Sequence, residues 1–342
     1  MDSITQVALG ASIAGAVAGK TLGRTALLIG GALGTLPDLD VVIDYGSAVA
    51  NFTQHRGFSH SLFVLAPLAL LLAWLLWRWK PMLDFKRWLL LTGLVLLTHP
   101  ILDAFTTYGT QLFWPFGRPV AINSIFIIDP AYTLPLLAGC LLFLVRPPGT
   151  RAIAVGLTLS TLYLGWTLAA QQIITNRVTP ALAQAGMDNA RLMVQPMPFN
   201  TVLWRATAMN DEQRVEIVTG FLDGDQPLTL ETFPRDPQLA QAVADLPEVR
   251  RLEWFTGGFL DYGTDGNRVT ATDIRLGLPG AHPFTFDIAR NNGGRFLPVT
   301  SSRLPRPAVN DQAMAHLWDR VTGRSDVFCL ASLSTPAPGQ SC

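Results

Sequence analysis

Three short motifs in the first 103 residues combine histidine with aspartate. PDLD at 37–40 presents two carboxylates, HRGFSHS at 55–61 presents two imidazoles, and HPILD at 99–103 places an imidazole four residues before a carboxylate. Residues at that last spacing share one face of a helix. Mixed imidazole and carboxylate ligands are typical of first-row divalent metal ions. We therefore predict a metal site built from Asp38, Asp40, His55, His60, His99 and Asp103.

The three histidines decide which kind of metal ion to expect. An all-oxygen magnesium site would not need imidazole ligands, so we expect zinc, with manganese or another first-row metal as alternatives. A bound metal ion can acidify a water molecule and polarise an ester. Arg56 lies between two predicted ligands and is either a surface residue or a clamp for an anionic group. Asp44 is expected beside the ligands, where it could relay protons.

These motifs belong to the apolar half of the chain. The whole chain has 342 residues, of which 49% are hydrophobic and 15% are charged, and its first glutamate is Glu212. A soluble globular chain carries about 25% charged residues. Crossing about 30 Å of hydrocarbon takes about 20 apolar residues, and suitable or nearly suitable runs occur at 62–79, 88–102, 125–145 and 152–170.

Two earlier segments are less clear as membrane spans. Residues 4–19 are rich in glycine and alanine, and residues 25–36 form a run of only twelve, too short to cross alone. Small residues such as Gly10 and Ala14 recur at helical spacing, which permits close helix packing in lipid. The sequence thus predicts a mainly α, polytopic membrane domain at 1–172 with about five helices, some short. A soluble α+β domain with an antiparallel sheet is expected at 173–342.

Basic residues predict the orientation in the membrane. The links 20–24, 78–88 and 146–151 hold eight lysines and arginines, whereas the links 37–61 and 103–124 hold two. Basic links stay on the cytoplasmic side. We therefore expect a multi-pass inner membrane protein of a bacterium, with the metal motifs and the C-terminal domain on the periplasmic side. Asp129, just before Pro130 on that side, is a candidate ligand or helix cap.

Five longer motifs carry a resemblance: MDSITQ at 1–6, GTLPDLD at 34–40, HRGFSHS at 55–61, LTHPILDAFTTYGTQLFWPF at 97–116 and NSIFIIDPAYTLPLL at 123–137. Over about residues 1–170 the chain resembles a bacterial inner-membrane family described as predicted membrane-bound metal-dependent hydrolases. The resemblance implies a helical membrane domain and a hydrolase activity, with the six predicted ligands as the matching positions. Some relatives have a histidine near the start, where this chain has Gln6.

The second half shows no clear catalytic motif. Strands are predicted at 192–195, 201–208, 214–221, 228–233, 251–255, 268–278 and 283–289, and helices at 237–246 and 310–322. His282 and His316 are isolated, which favours a structural or surface role. Cys329 and Cys342 could pair in an oxidising periplasm.

Two main classes of function follow from these patterns, and a transporter is a third alternative that would need charges spread through the depth of the membrane rather than at one end. The first is a membrane-bound metal-dependent hydrolase that cleaves a phosphoester or other ester of a lipid-linked or amphipathic, anionic substrate. The second is a non-enzymatic, metal-stabilised membrane scaffold that binds a partner. An open coordination position would indicate the enzyme and a saturated one the scaffold. With 25 basic and 25 acidic residues, the chain has no net positive charge that would attract nucleic acid. The lipid bilayer is the expected partner.

Overall fold

The computed structural model describes residues 1–146, 149–306, 311–323 and 330. They form two compact units, one of Met1–Ile43, Gln54–Ala170 and Pro198–Asn200, the other of Asp44–Thr53, Gln171–Met197 and the described residues from 201 onward. Apolar helices come first and a region with two antiparallel sheets follows, so the predicted fold class is confirmed. The boundary at residue 172 stays a prediction, and Cys329 and Cys342 lie outside the described residues.

The first unit is built from helices. Two short 3₁₀ turns, Pro37–Val42 and Phe58–His60, connect them. The helices of the first half of the chain are α1 Ser3–Leu22, α2 Arg24–Thr35, α3 Ala48–Gln54, α4 Leu62–Trp79, α5 Phe85–Ala104, α6 Pro130–Val145 and α7 Thr150–Gln184. Most of α3, and α7 from Gln171 onward, belong to the second unit. Among the described residues, three helices are long and apolar enough to cross a membrane, namely α4, α5 and α7, whereas α6 is apolar but shorter.

Small residues bring α1 and α2 into direct backbone contact. A Cβ atom on Gly34 would lie 2.6 Å from the carbonyl oxygen of Gln6, and the backbones of Gly10 and Gly30 also meet without room for a side chain. The predicted close packing of this glycine-rich segment is therefore confirmed. It fixes the end of α2, from which the PDLD turn follows.

Polar side chains satisfy the free backbone groups where these helices begin. Asp2 caps α1, Ser61 caps α4 and Asp84 caps α5. Asp129 accepts hydrogen bonds from the backbone of Ala131 and Tyr132 at the start of α6, so its predicted role as a helix cap is confirmed. The caps Ser61 and Asp84 set where α4 and α5 begin, and therefore how each helix is placed relative to the site residues.

The second unit contains two four-stranded antiparallel sheets, each joined in chain order. The first consists of β1 Arg191–Pro196, β2 Leu203–Met209, β3 Gln213–Gly220 and β4 Leu230–Pro234, and the second of β5 Leu260–Asp265, β6 Arg268–Asp273, β7 Thr285–Asn292 and β8 Arg295–Arg303. Besides α3 and the end of α7, the described residues of this unit form the helices α8 Pro237–Val243, α9 Pro247–Thr256 and α10 Asp311–Val321.

The predicted strand at 251–255 is wrong, because these residues belong to α9. Pro247 occupies the first helical turn, where its missing N–H costs nothing. Val249, Leu252 and Phe255 are buried at a helical spacing of three. The apolar pattern was therefore helical, and β5 and β8 were not predicted.

The short helix α3 belongs largely to the second unit, although it lies between the PDLD and HRGFSHS motifs in the sequence. Phe52 packs against the rings of Phe255, Phe284 and Phe286 with centroid distances of 5.1, 4.6 and 5.3 Å. The backbone N–H of Val49 donates to Ser301 Oγ at 3.0 Å. The link between the two motifs is thus anchored in the β-rich unit.

Candidate metal centre

Four of the predicted ligands gather in one place. Asp38, His60, His99 and Asp103 each offer one ligand atom, and these atoms lie within 4.8 Å of one another. The side chains of His60, His99 and Asp103 are buried, whereas that of Asp38 is 21% exposed. The group therefore has one member that reaches the surface.

Three segments bring these side chains together. Asp38 lies on the turn Pro37–Val42 directly after α2, and His60 ends the turn Phe58–His60 directly before α4. His99 and Asp103 occupy successive turns on one face of α5. Pro37 marks where the first turn begins, and Ser61, the cap of α4, marks where the second turn stops.

The distances between the ligand atoms match those around a small ion. His60 Nε2 lies 3.2 Å from His99 Nε2, and Asp38 Oδ1 lies 3.4 Å from each of these nitrogens. Asp103 Oδ2 is 3.3 Å from His60 Nε2 and 3.5 Å from His99 Nε2. Ligands at zinc distances on a tetrahedron would be about 3.3–3.4 Å apart. The residues therefore fit a metal ion.

The tautomers of the two imidazoles are set by their second nitrogens. His99 Nδ1 lies 2.7 Å from the carbonyl oxygen of Gly34, which can only accept, so this nitrogen carries the proton. Ser59 Oγ donates to Asp40 Oδ2 at 2.6 Å and therefore accepts from His60 Nδ1 at 2.9 Å. Both Nε2 atoms consequently present lone pairs to each other. A cation between them removes that repulsion.

Asp103 leaves one oxygen for such a cation. Its Oδ1 accepts from Gln6 Nε2 at 3.0 Å and from the amino group of Met1. Its Oδ2 is buried and accepts no hydrogen bond from any described residue, although Arg56 Nε lies 3.4 Å away. A buried carboxylate oxygen that accepts no hydrogen bond and faces two imidazole lone pairs is the arrangement expected of a metal ligand.

Protons and a metal ion compete for this position. Burial opposes ionisation of Asp38, but when the imidazoles of His60 and His99 take up a second proton, their hydrogen bonds to this carboxylate outweigh burial and lower its pKa below its usual range. Burial also disfavours a charged His60, yet Asp103 and Asp38 raise the pKa of its imidazole. Both shifts arise because the carboxylates attract positive charge. Metal binding at such a site releases protons and weakens at low pH.

The structure does not bring Asp40 and His55 into the four-residue group. Asp40 Oδ1 pairs with His55 Nδ1 at 2.8 Å, and Oδ2 accepts from the backbone N–H of Arg56 at 2.9 Å as well as from Ser59. Burial opposes its ionisation, but the hydrogen bond with His55 lowers the pKa of Asp40. With both oxygens in use, Asp40 organises the loop and, through Ser59, orients His60.

Asp44 and Arg56, the two residues predicted to assist the metal ion, occupy different surroundings. Asp44 is exposed, and its Oδ1 accepts from Gly46 N at 2.9 Å and from Asn51 Nδ2 at 3.0 Å. Arg56 is buried, and its guanidinium contacts Asp103, Thr106 Oγ1 and the carbonyl oxygen of Met1. Arg56 therefore faces protein groups and offsets the charge of Asp103.

Sequence reasoning missed the groups that orient the two imidazoles. Ser59 adjoins a predicted ligand, and Gly34 ends the glycine-rich helix just before the PDLD turn. Both signals are present in the sequence, but serines and glycines in such places are common. Their contribution becomes visible only when the hydrogen bonds of His60 and His99 are known.

Apolar helices and a buried His/Asp cluster define a helical membrane protein with a candidate metal-binding site. The sequence profile of the YdjM inner membrane protein family matches residues 1–174, a range that holds all four cluster residues. The chain belongs to this family. Family membership and the apolar helices support a location in the inner membrane.

Two relatives match part of the chain. YfhP of Bacillus subtilis (strain 168) is 28% identical over 173 residues, which cover 48% of this chain and 53% of YfhP. Inner membrane protein YbcI of Escherichia coli (strain K12) is 36% identical over 112 residues, which cover 32% of this chain and 64% of YbcI. The chain thus spans less than two thirds of the length of either relative. No solved structure matches it.

Proposed function

We propose that this protein is a membrane-bound, metal-dependent hydrolase that holds zinc with Asp38, His60, His99 and Asp103. One observation supports the metal: two imidazole lone pairs and two carboxylate oxygens converge at distances of 3.2–3.5 Å. Zinc suits this mixed ligand set and these distances, and manganese is the alternative.

Three of the four ligands are held in place by the protein itself. Gly34 fixes His99 through its carbonyl oxygen, Ser59 fixes His60, and Arg56 faces Asp103. When bound, zinc would supply an acidified water molecule and a Lewis acid for ester cleavage. The partly exposed Asp38 marks the side from which a substrate ester, in the first place a phosphoester, would approach.

The ligand count favours a second candidate function, a non-enzymatic scaffold stabilised by its metal ion. Structural zinc sites have four protein ligands, whereas catalytic sites keep a position for water. Here four protein ligands are available, and three of them are fully buried. Catalysis would require Asp38 to move aside or to share its position with water.

Metal analysis of matched variants tests the site. We expect the purified full-length protein to carry about one zinc ion per chain, as a single four-ligand site would. His55→Ala should retain the metal and His60→Ala should lose it, although both remove an imidazole from the same loop. Equal metal content in the two variants would contradict the assignment.

Turnover separates the enzyme from the scaffold. A panel of phosphoesters and carboxylic esters should be hydrolysed by the wild type, and chelation should abolish this activity until zinc is restored. Asp38→Asn, at the exposed side of the site, should lose turnover while it remains folded. A stoichiometric metal ion without turnover on any substrate, together with lower thermal stability after chelation, would instead support the scaffold.

We also propose that the metal centre and the second unit face the periplasm. The support is the uneven distribution of basic residues, eight in one set of links and two in the other. A reporter active only in the cytoplasm should be inactive when fused after residue 342, and one active only in the periplasm should be active. The opposite pattern would refute this orientation.

A further inference from the structure

Exposed apolar side chains follow Asp38 along the same turn. The turn Pro37–Val42 carries Leu39, Val41 and Val42, and the latter two are 72% and 81% exposed. In this turn Asp38 faces the imidazoles and Asp40 is buried, so the carboxylates point inward while the aliphatic side chains point outward. The surface beside the accessible ligand is therefore apolar.

A second exposed apolar segment, residues 111–116, lies against the start of α4. Its rings of Phe113 and Phe116 are exposed, and both lie 6.3 Å from the ring of Phe63. Phe63 belongs to the first turn of α4, which is a candidate membrane span. Trp114 in the same segment lies 6.3 Å from Phe58. This segment thus continues the exposed apolar face of a membrane helix.

Hydrogen bonds join residues 111–116 to the loop that carries His60. Gln111 N donates to the carbonyl oxygen of Arg56 at 3.0 Å, Leu62 N donates to that of Leu112 at 2.9 Å, and Ser61 Oγ donates to that of Trp114 at 2.8 Å. The turn Pro37–Val42 packs against the turn Phe58–His60. We call the turn Pro37–Val42 and residues 111–116 the apolar rim.

Lipid is the environment that accounts for the apolar rim. Large exposed apolar patches mark binding surfaces or contacts with a membrane, and aromatic side chains concentrate where the membrane meets water. Residues 111–116 carry no charged side chain. The contacts of Phe113 and Phe116 with Phe63 place residues 111–116 next to lipid that α4 itself would contact.

We propose that the apolar rim lies in the interfacial layer of the bilayer and that the metal centre acts on a membrane lipid. The substrate would be an amphipathic phosphoester whose acyl chains rest on the apolar rim while its head group reaches Asp38. The substrate assignment rests on the proposed hydrolase function, whereas the location of the apolar rim does not. We therefore test the location of the apolar rim and the identity of the substrate by separate measurements.

Spin labels measure the location. Single cysteines at Val42 and Phe116, in a full-length background with Cys140→Ala, Cys329→Ser and Cys342→Ser, are labelled with a nitroxide in phospholipid vesicles. We expect both labels to be relaxed by oxygen and shielded from a water-soluble nickel chelate. Leu70, exposed on α4, is the membrane control, and Leu222, exposed in the second unit, is the water control.

The labels can refute the location in two ways. Labels at Val42 and Phe116 that behave like Leu222 would place the apolar rim in water. Labels shielded from both oxygen and the nickel chelate would show that protein covers it, either a second copy or another partner. Either result overturns the proposal.

Val42→Asp tests the substrate. Val42 is highly exposed, so this variant should keep its fold and its zinc. A charge in the interfacial layer should lower kcat/KM for a long-chain phospholipid in vesicles by up to about fivefold, since a charge there costs up to about 1 kcal/mol. Hydrolysis of a soluble short-chain phosphoester should be unchanged, and Leu222→Asp should alter neither reaction.

The outcomes distinguish the two proposals. If Val42→Asp changes neither reaction, or lowers both equally, substrate access from lipid is refuted while the hydrolase function stands. A wild type that cleaves neither substrate overturns the hydrolase function and the lipid substrate with it. The spin labels still decide whether the apolar rim lies in the membrane.

Discussion

Replacing Gly34 by alanine should separate α1 from α2 and loosen the metal centre. A Cβ at this position would lie 2.6 Å from the carbonyl oxygen of Gln6 and 3.4 Å from Gly10 Cα. The first contact is to backbone, which cannot rotate away as a side chain could. One helix must therefore move by roughly 1 Å to restore an ordinary separation. Because the Gly34 carbonyl oxygen holds His99 Nδ1, the movement reaches the site.

The magnitude follows from two separate effects. Overpacking at a tight contact costs about 1–3 kcal/mol of stability. Loss of a group that orients a metal-bound histidine lowers metal affinity about 10–100-fold. Gly93 provides the matched control, since it lies within the apolar helix α5 and a Cβ there would meet nothing within 4 Å. Gly93→Ala should stabilise by up to about 1 kcal/mol, the ordinary gain of alanine in a helix.

Zinc competition with a chromophoric chelator measures the affinity, and thermal unfolding in detergent, followed by tryptophan fluorescence, measures the stability. We expect Gly34→Ala to bind zinc more weakly and to unfold at a lower temperature, whereas Gly93→Ala should keep both its zinc affinity and its stability. Equal zinc affinity in the two variants would refute the link between helix packing and the orientation of His99. A loss of stability without a loss of affinity would show that the Gly34 carbonyl does not orient the ligand.

Three further predictions concern other residues. Asp40→Asn should lower zinc affinity about 10–100-fold in the same competition assay, because it disturbs the hydrogen bond that orients Ser59 and hence His60; unchanged affinity would contradict this role. Phe52→Ala should lower the free energy of unfolding of the second unit by about 3–5 kcal/mol in a denaturant titration, since a buried aromatic ring is removed. The control Leu222→Ala, at an exposed position, should change this free energy little. Burial lowers the pKa of His282 from 6.5 to about 3, so below pH 6.5 the unfolded chain takes up a proton that the folded chain refuses. The free energy of unfolding should therefore fall by about 1.4 kcal/mol for each pH unit between pH 6.5 and about 3. Denaturant titrations across this range should show a weaker pH dependence of that free energy in His282→Asn. An identical pH dependence in the two proteins would exclude His282 as the cause.

Residue spacing was sufficient to predict the core of the candidate site. His99 and Asp103 are four apart in an apolar segment, so helical geometry alone places them on one face. Asp38 and His60 could be added because buried charges at the ends of apolar helices need compensation. The structure brings these four together. Each of these inferences depends on regular helices or on burial, which a sequence encodes well.

The roles of Asp40 and His55 could not be predicted in the same way. They depend on an irregular loop in which Arg56 has a left-handed backbone, with φ of 59°, and its N–H is directed at Asp40. Motif spacing does not specify such a loop conformation. The placement of α3 is similar, because Phe52 finds its aromatic partners more than 200 residues later in the chain.

The contacts behind each ligand reduce the question of catalysis to Asp38. His60, His99 and Asp103 are buried and held by Ser59, by the Gly34 carbonyl and by Arg56 together with Gln6. Moving any of them would break a buried hydrogen bond or ion pair, which is costly when the groups left behind are buried. Asp38 is placed by its backbone turn and is partly exposed beside the apolar rim. If one position in the metal centre opens for water or substrate, it is therefore the position of Asp38.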